Sequence, residues 1–282
     1  SKATAFRRVG CLFVQCKRIA GLLCELHFSE TLMEQLKAKL AVVTGASSGI
    51  GAAIVRDLIA AGLIVIGLAR RFERVEALRQ ELPTAEQRAR LHAIKCNIAD
   101  AQDVAETFTR IIRDHGPVYV LVNNAGCLRS GQLATMAECE VQEVLQTNVM
   151  GVVNCTRHVF TAMRAHRIDG HVILINSICG HKVPVVPGHM PTLNIYPATK
   201  FALTAINEIY RQEFKELGTR VKVTSISPGL VDTELITEAQ KKIVDGKILT
   251  PENVSGAVMY VLSQPSNVLI HELIMKPMGD MI

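Results

Sequence analysis

Tyr196 and Lys200, in the stretch Tyr196-Pro197-Ala198-Thr199-Lys200, are one half of a chemistry. The other half is a glycine turn far upstream, Thr44-Gly45-Ala46-Ser47-Ser48-Gly49-Ile50-Gly51. A lysine four residues after a tyrosine shares its helical face, and a cation beside a phenol favours the ionised form. The glycine turn follows the apolar run Leu40-Ala41-Val42-Val43 and opens a helical pattern from Ala52 to Ala61. Glycines let the backbone approach phosphates, and a helix N-terminus offers free N–H groups and a partial positive charge. That context suits a dinucleotide pyrophosphate. The two features together imply hydride transfer with a tyrosine as acid or base.

The elements that must hold these residues alternate along the chain. Apolar runs occur at Leu40–Thr44, Leu63–Leu68, Leu91–Lys95, Val118–Val122, His171–Asn176, Val221–Ser225 and Val268–Met275. Helical patterns lie between them, near 50–61, 73–82, 101–115, 138–166, 196–217 and 251–263. Continuous apolar strands separated by helices predict a parallel sheet covered on both faces. The expected fold is a single doubly wound, Rossmann-like α/β domain over residues 38–282, with a seven-stranded parallel sheet. Residues 1–37 are expected to form an extension outside the fold. Two long connections, Ile178–Ile195 and Leu230–Leu249, follow strand C-terminal ends, where open α/β sheets bind ligands.

Composition excludes several classes. The 282 residues are 49% hydrophobic and 20% charged, without tryptophan, which suits a buried sheet. Most of the net charge of +5 lies in residues 1–32, where Lys2, Arg7, Arg8, Lys17 and Arg18 face only Glu25 and Glu30. A nearly neutral body gives no electrostatic footprint for nucleic acid. The eight cysteines (11, 16, 24, 96, 127, 139, 155 and 179) form no C-x-x-C pair, and the nine histidines no helical metal pair. Reduced thiols, no metal and a cytoplasmic setting are expected. Lys17-Arg18 interrupts any secretory signal core, and no apolar run near the N-terminus reaches the ~20 residues of a membrane span. That segment reads as sequence upstream of Met33 or as a basic presequence.

Gly45, Gly49 and Gly51 are spaced G-x-x-x-G-x-G. With them stand Asn123-Asn124-Ala125-Gly126 after the fourth strand, Asn148, Ser177, Tyr196 with Lys200, and Pro228-Gly229. In order and spacing these resemble the short-chain dehydrogenase/reductase family over about residues 38–280. The resemblance implies that Tyr196 moves a proton to a carbonyl or from an alcohol, while Ser177 orients the substrate oxygen. Lys200 would bind the nicotinamide ribose and lower the tyrosine pKa. Asn148 would hold a water that relays protons from Lys200 to solvent. Gly45, Ser47, Ser48, Gly49, Ile50 and Gly51, with Asn123, Ala125 and Gly126, would line the cofactor. So would Asn97 and Ile98 after the third strand, where Asn97 replaces the usual aspartate. Pro228, Gly229, Val231 and Thr233 would meet the nicotinamide end. Pro197 departs from the small residue expected after the tyrosine, but proline is tolerated in a first helical turn, so it predicts a helix start at Tyr196.

The second strand ends in Gly67-Leu68-Ala69-Arg70-Arg71, with no carboxylate before Glu73. An acid there would bond a ribose 2′-hydroxyl, whereas arginine accommodates a 2′-phosphate. Arg70 and Arg71 therefore point to NADP. Shorter stretches, Leu91-His92-Ala93-Ile94-Lys95-Cys96, Asn176-Ser177-Ile178-Cys179-Gly180-His181 and Ile270–Pro277, resemble the insect farnesol dehydrogenases and the related dehydrogenase/reductase member 11 group. The long connections add apolar residues: Ile178, Val183, Pro184, Val185, Val186, Leu193, Ile195, Leu230, Leu235 and Ile236. The expected substrate is a lipophilic alcohol, farnesol-like, or its aldehyde or ketone. The alternatives are a general carbonyl or hydroxysteroid reductase, or a catalytically silent NADP-binding scaffold. The helices at 138–166 and 196–217 resemble the pair through which the family dimerises, so a homodimer or homotetramer is expected. Val149, Val152, Val153, Phe160, Phe201 and Ala205 could serve either that interface or the core.

Overall fold

The computed structural model describes residues 34–185, 193–238, 241 and 246–279. Seven strands form one sheet: β1 Leu40–Thr44, β2 Ile64–Ala69, β3 Leu91–Lys95, β4 Val120–Asn123, β5 His171–Ile175, β6 Lys222–Pro228 and β7 Glu272–Met275. Their order is β3-β2-β1-β4-β5-β6-β7, and every pairing is parallel. Strand order reverses between β1 and β4, and at such a switch point the strand ends open a crevice for ligands. The expected doubly wound sheet is the one observed.

Both faces of the sheet are buried, because each strand is apolar at successive positions. Ala41, Val43 and Val65 pack on one side, with helices α1 (Gly49–Ala60), α2 (Phe72–Glu81) and α8 (Pro251–Leu262). Leu40, Val42, Ile66 and Leu68 pack on the other, with α4 (Ala101–His115), α6 (Gly151–Ala165) and α7 (Tyr196–Glu216).

Three elements differ from the pattern read in the sequence. A short helix, α3 (Ala85–Arg90), buries no residue and so leaves no apolar period; the reciprocal Thr84–Gln87 capping box starts it. The pattern over 138–166 is not one α-helix. It divides into α5 (Glu138–Leu145), a π-helical turn at Gln146–Met150 and α6. Strand β7 begins at Glu272 and not at Val268, because the carbonyls of Val268 and Ile270 accept from Lys222 Nζ and Thr224 Oγ1. Side chains replace the ladder there. The extension expected over residues 1–37 lies outside the described residues except for its last four.

Candidate active site

The turn after β1 closes on itself through Asn124. Its Nδ2 donates to the carbonyls of Thr44 (2.9 Å) and Gly45 (3.2 Å). Thr44 Oγ1 in turn accepts from the backbone N–H of Asn124 and of Ala125, both at 3.0 Å. Gly45 and Gly49 have φ of +67° and +53°, where a side chain is strained. A Cβ on Gly51 would stand 2.2 Å from the Gly45 carbonyl oxygen, and one on Gly45 2.8 Å from Ala125 Cα. Helix α1 then starts at Gly49 with no side-chain cap at Ser48 and no acid in its first turn. Its first N–H groups are left to an external anion. The cradle therefore fits a pyrophosphate.

At the far end of this cleft Arg70 and Arg71 are exposed beyond β2. Arg71 Nη2 pairs with Glu234 Oε2 at 2.9 Å, and Arg74 Nη1 with Glu234 Oε1 at 2.5 Å. Arg70 stands 3.7 Å from Glu143. Asn97 is exposed, but its Oδ1 already accepts from Ala99 N–H at 3.3 Å. Ile98 is buried against Gly151, the first residue of α6. Asn123 is turned into the protein, where Nδ2 donates to Thr156 Oγ1 at 3.0 Å. Its side chain thus braces β4 on α6, and the neighbouring Asn124 carries the polar work of the turn.

The residues singled out for proton chemistry converge beyond the C-terminal ends of β4 and β5. Ser177 lies two residues beyond β5; its Oγ accepts from Cys179 N–H at 3.1 Å and caps a 3₁₀ turn, Ile178–Gly180. Helix α7 begins at Tyr196 with Pro197 in its first turn, as the sequence predicts. Lys200, one turn later, is buried and donates from Nζ to the Ile175 carbonyl at 3.0 Å. Its ammonium lies 5.6 Å from the centre of the Tyr196 ring. Asn148 sits in the π-helical turn, which aims its amide at Cys127 and α7. Oδ1 accepts from Cys127 N–H (2.8 Å), and Nδ2 donates to the Cys127 carbonyl (3.0 Å) and Thr199 Oγ1 (3.2 Å). Thr199 Oγ1 donates to the Tyr196 carbonyl at 2.7 Å. Both amide hydrogens of Asn148 are thereby spent, and the side chain is a brace under the first turn of α7.

Residues 39–243 match the family model described as short chain dehydrogenase. The chain belongs to that family. It is 48% identical over 251 residues to the farnesol dehydrogenase of Aedes aegypti, covering 88% of this chain and 99% of the relative. It is 37% identical over 254 residues to the mouse (Mus musculus) dehydrogenase/reductase SDR family member 11, covering 87% and 96%. The closed form of a serine dehydrogenase complexed with NADP+ superposes with a TM-score of 0.75 at 32% identity, covering 86% of this chain and 96% of that one.

As a short-chain dehydrogenase, the chain holds its tyrosine and lysine in an environment hostile to charge. Burial pushes the Tyr196 phenol above its ordinary value, against the smaller opposing effect of a hydrogen bond with Ser177. Burial also pulls Lys200 down to about 8. The sequence predicts that Lys200 lowers the phenol; in this site desolvation outweighs any such effect, and both groups are driven towards their neutral forms.

The residues expected at the nicotinamide end surround the root of the second long connection. Pro228 closes β6, Gly229 N–H donates to Met275 carbonyl at 2.7 Å, and buried Val231 bridges Leu249. Thr233 Cγ2 comes within 3.0 Å of a Cβ built on Gly49, so this segment crosses the mouth of the glycine turn. Of the apolar residues expected to face substrate, Ile178 is buried, and Leu193, Ile195, Leu230 and Ile236 are half-buried. Val183, Val185 and Leu235 are exposed. Val186 lies outside the described residues. Among the described residues no group of His, Cys, Asp and Glu could hold a metal, and no helix is long and apolar enough to cross a membrane. Asn124, Thr199, Arg74 and Glu234 were not singled out in the sequence. Asn124 alone had a signal there, in the Asn-Asn-Ala-Gly run.

Proposed function

We propose that this short-chain dehydrogenase uses NADP(H) to interconvert a lipophilic alcohol, farnesol-like, and its aldehyde or ketone. The observation that carries the reading is the convergence of Ser177, Tyr196 and Lys200 beside an uncapped glycine cradle whose far end holds arginines and no carboxylate of its own strand. The hydride would come from, or pass to, the nicotinamide once the cofactor is bound. Tyr196 moves the proton: a phenol kept neutral by burial retains its hydrogen until negative charge develops on the substrate oxygen. Ser177 orients that oxygen. Lys200 spends one of its three N–H donors on Ile175 and keeps two for ribose hydroxyls. Asn148 steadies the turn that carries Tyr196, and a water held for proton relay would have to use an acceptor of Asn148.

NADP is favoured by Arg70 and Arg71, and the similar serine dehydrogenase was solved with NADP+. Substrate class is favoured by the relation to the mosquito farnesol dehydrogenase and by Ile178, Leu193, Ile195 and Leu230 near the site. The free cysteines among the described residues (96, 127, 139, 155 and 179) fit a cytoplasmic protein. A homodimer or homotetramer is supported by exposed Phe201 and Ile209 on α7 and Met150 on the π-helical turn. Ala205 is exposed beside them, while Val152 is committed to the core and Phe160 stacks on Phe214. The deciding experiment is an absorbance panel with NADP+ or NADPH across farnesol, farnesal, a hydroxysteroid and a dicarbonyl. The proposal requires kcat/KM to be highest for the isoprenoid pair. A higher value for the steroid or dicarbonyl would move the enzyme to general carbonyl or steroid reduction.

A further inference from the structure

Glu234 belongs to the segment that crosses the glycine turn, yet both of its carboxylate oxygens are engaged by arginines 160 or more residues away in sequence. Arg71 takes one oxygen and Arg74 the other, at 2.9 and 2.5 Å. The two guanidiniums hold this carboxyl below its usual range, and no closer carboxylate serves either arginine among the described residues. Thr233, next in line, packs over Gly49. The segment therefore closes the cleft at two points, over the turn that receives the pyrophosphate and at the arginines beyond β2. A hollow of about 440 Å³ lies beside this segment, lined in part by Ser48, Gly49, Thr233 and Glu234.

We propose that Glu234 is an internal stand-in for the cofactor's 2′-phosphate: it holds Arg71 and Arg74 in the empty enzyme, yields them to the phosphate, and reclaims them as the cofactor leaves. A phosphate carries more charge and more acceptor oxygens than a carboxylate, so it wins the exchange for arginine. The carboxylate lowers the net gain and so shortens the residence of NADP(H). A cofactor lacking the 2′-phosphate offers nothing to exchange and leaves the clasp shut. This inference rests on the NADP(H) reading and adds to it a residue from a distant loop that sets how tightly the phosphate is kept.

The test is calorimetric binding of adenosine 2′,5′-bisphosphate and of 5′-AMP to the full chain, two ligands that differ only in the 2′-phosphate. Glu234→Gln keeps the side chain's size at an exposed position and removes the competing charge. It is expected to tighten the bisphosphate roughly threefold to tenfold, as for loss of a half-exposed charge competitor, and to leave 5′-AMP within about twofold. The gain must vanish when Arg71 and Arg74 are both glutamine. Unchanged or weaker bisphosphate binding in Glu234→Gln overturns the clasp. Arg71→Gln is the separate control: if it leaves the preference for bisphosphate over 5′-AMP intact, the phosphate is held elsewhere and the assignment of Arg71 fails first. If that preference is lost while Glu234→Gln has no effect, only the clasp is wrong.

Discussion

Replacing Lys200 by methionine should make the cofactor-free enzyme more stable near neutrality while abolishing its activity. Lys200 is 6% exposed and holds one hydrogen bond, to the Ile175 carbonyl. Burial lowers its pKa from 10.5 to about 8. A lowered lysine means that the unfolded chain binds the proton more tightly than the folded one between these values. Stability is therefore depressed below pH 8 and recovers as pH rises towards 10.5. At about 1.4 kcal/mol per unit, the ammonium costs the fold about 3 kcal/mol at pH 7 and about half that near pH 9.5. Methionine fills similar space without charge. It forfeits the hydrogen bond to Ile175, worth about 1–3 kcal/mol, so the net gain at pH 7 is small, about 0–2 kcal/mol. The sharper signature is the pH dependence of the difference. Urea unfolding of both proteins at pH 7 and near pH 9.5 should show the advantage of Lys200→Met falling by about 2 kcal/mol. Groups common to the two proteins cancel in that difference. A difference that is flat with pH, or that grows, would refute a buried, strained ammonium at Lys200.

Further outcomes follow from the same geometry. Gly51→Ala puts a methyl 2.2 Å from the Gly45 carbonyl oxygen; overpacking of this kind costs about 1–3 kcal/mol, and thermal melts should show it with weakened NADPH binding, whereas unchanged values would mean the turn is loose. Arg70→Asp or Arg71→Asp should cost NADP(H) more affinity than NAD(H), by roughly tenfold or more for a charge-assisted contact of 1.5–3 kcal/mol, read from both dissociation constants; equal losses would assign the arginines to the fold. Phe201→Asp, at a side chain 43% exposed on α7, should dissociate the proposed oligomer in sedimentation, and a wild-type monomer of 30.8 kDa would dispose of the interface altogether.

The parts of this enzyme that were legible in the sequence are those in which backbone geometry dictates residue type. Gly45 and Gly49 sit at positive φ, and Gly51 touches a carbonyl, so the turn declares itself by composition. The strands declare themselves because both faces of a parallel sheet are buried, and Tyr196 with Lys200 because both lie in the first turn and a half of one helix. What was illegible depends on partners distant in sequence or on the absence of a pattern. Helix α3 buries nothing, and the π-helical turn that aims Asn148 interrupts a helix with no proline to mark the break. Asn123 and Asn124 are adjacent and alike, yet one faces Thr156 in the core and the other ties the glycine turn. The pairing of Glu234 with Arg71 spans 163 residues. The raised phenol of Tyr196 follows from the desolvation that its half-buried place in the fold imposes, which spacing does not encode.

The most direct test of the account is Tyr196→Phe, assayed for turnover and for NADPH binding on the same preparation. The change removes one hydroxyl and leaves the ring that packs beside Lys200. Turnover should fall by about 10²–10⁴, the usual contribution of a positioned acid or base, while NADPH affinity stays within about twofold. Retention of more than a few per cent of wild-type turnover would contradict Tyr196 as the group that moves the proton.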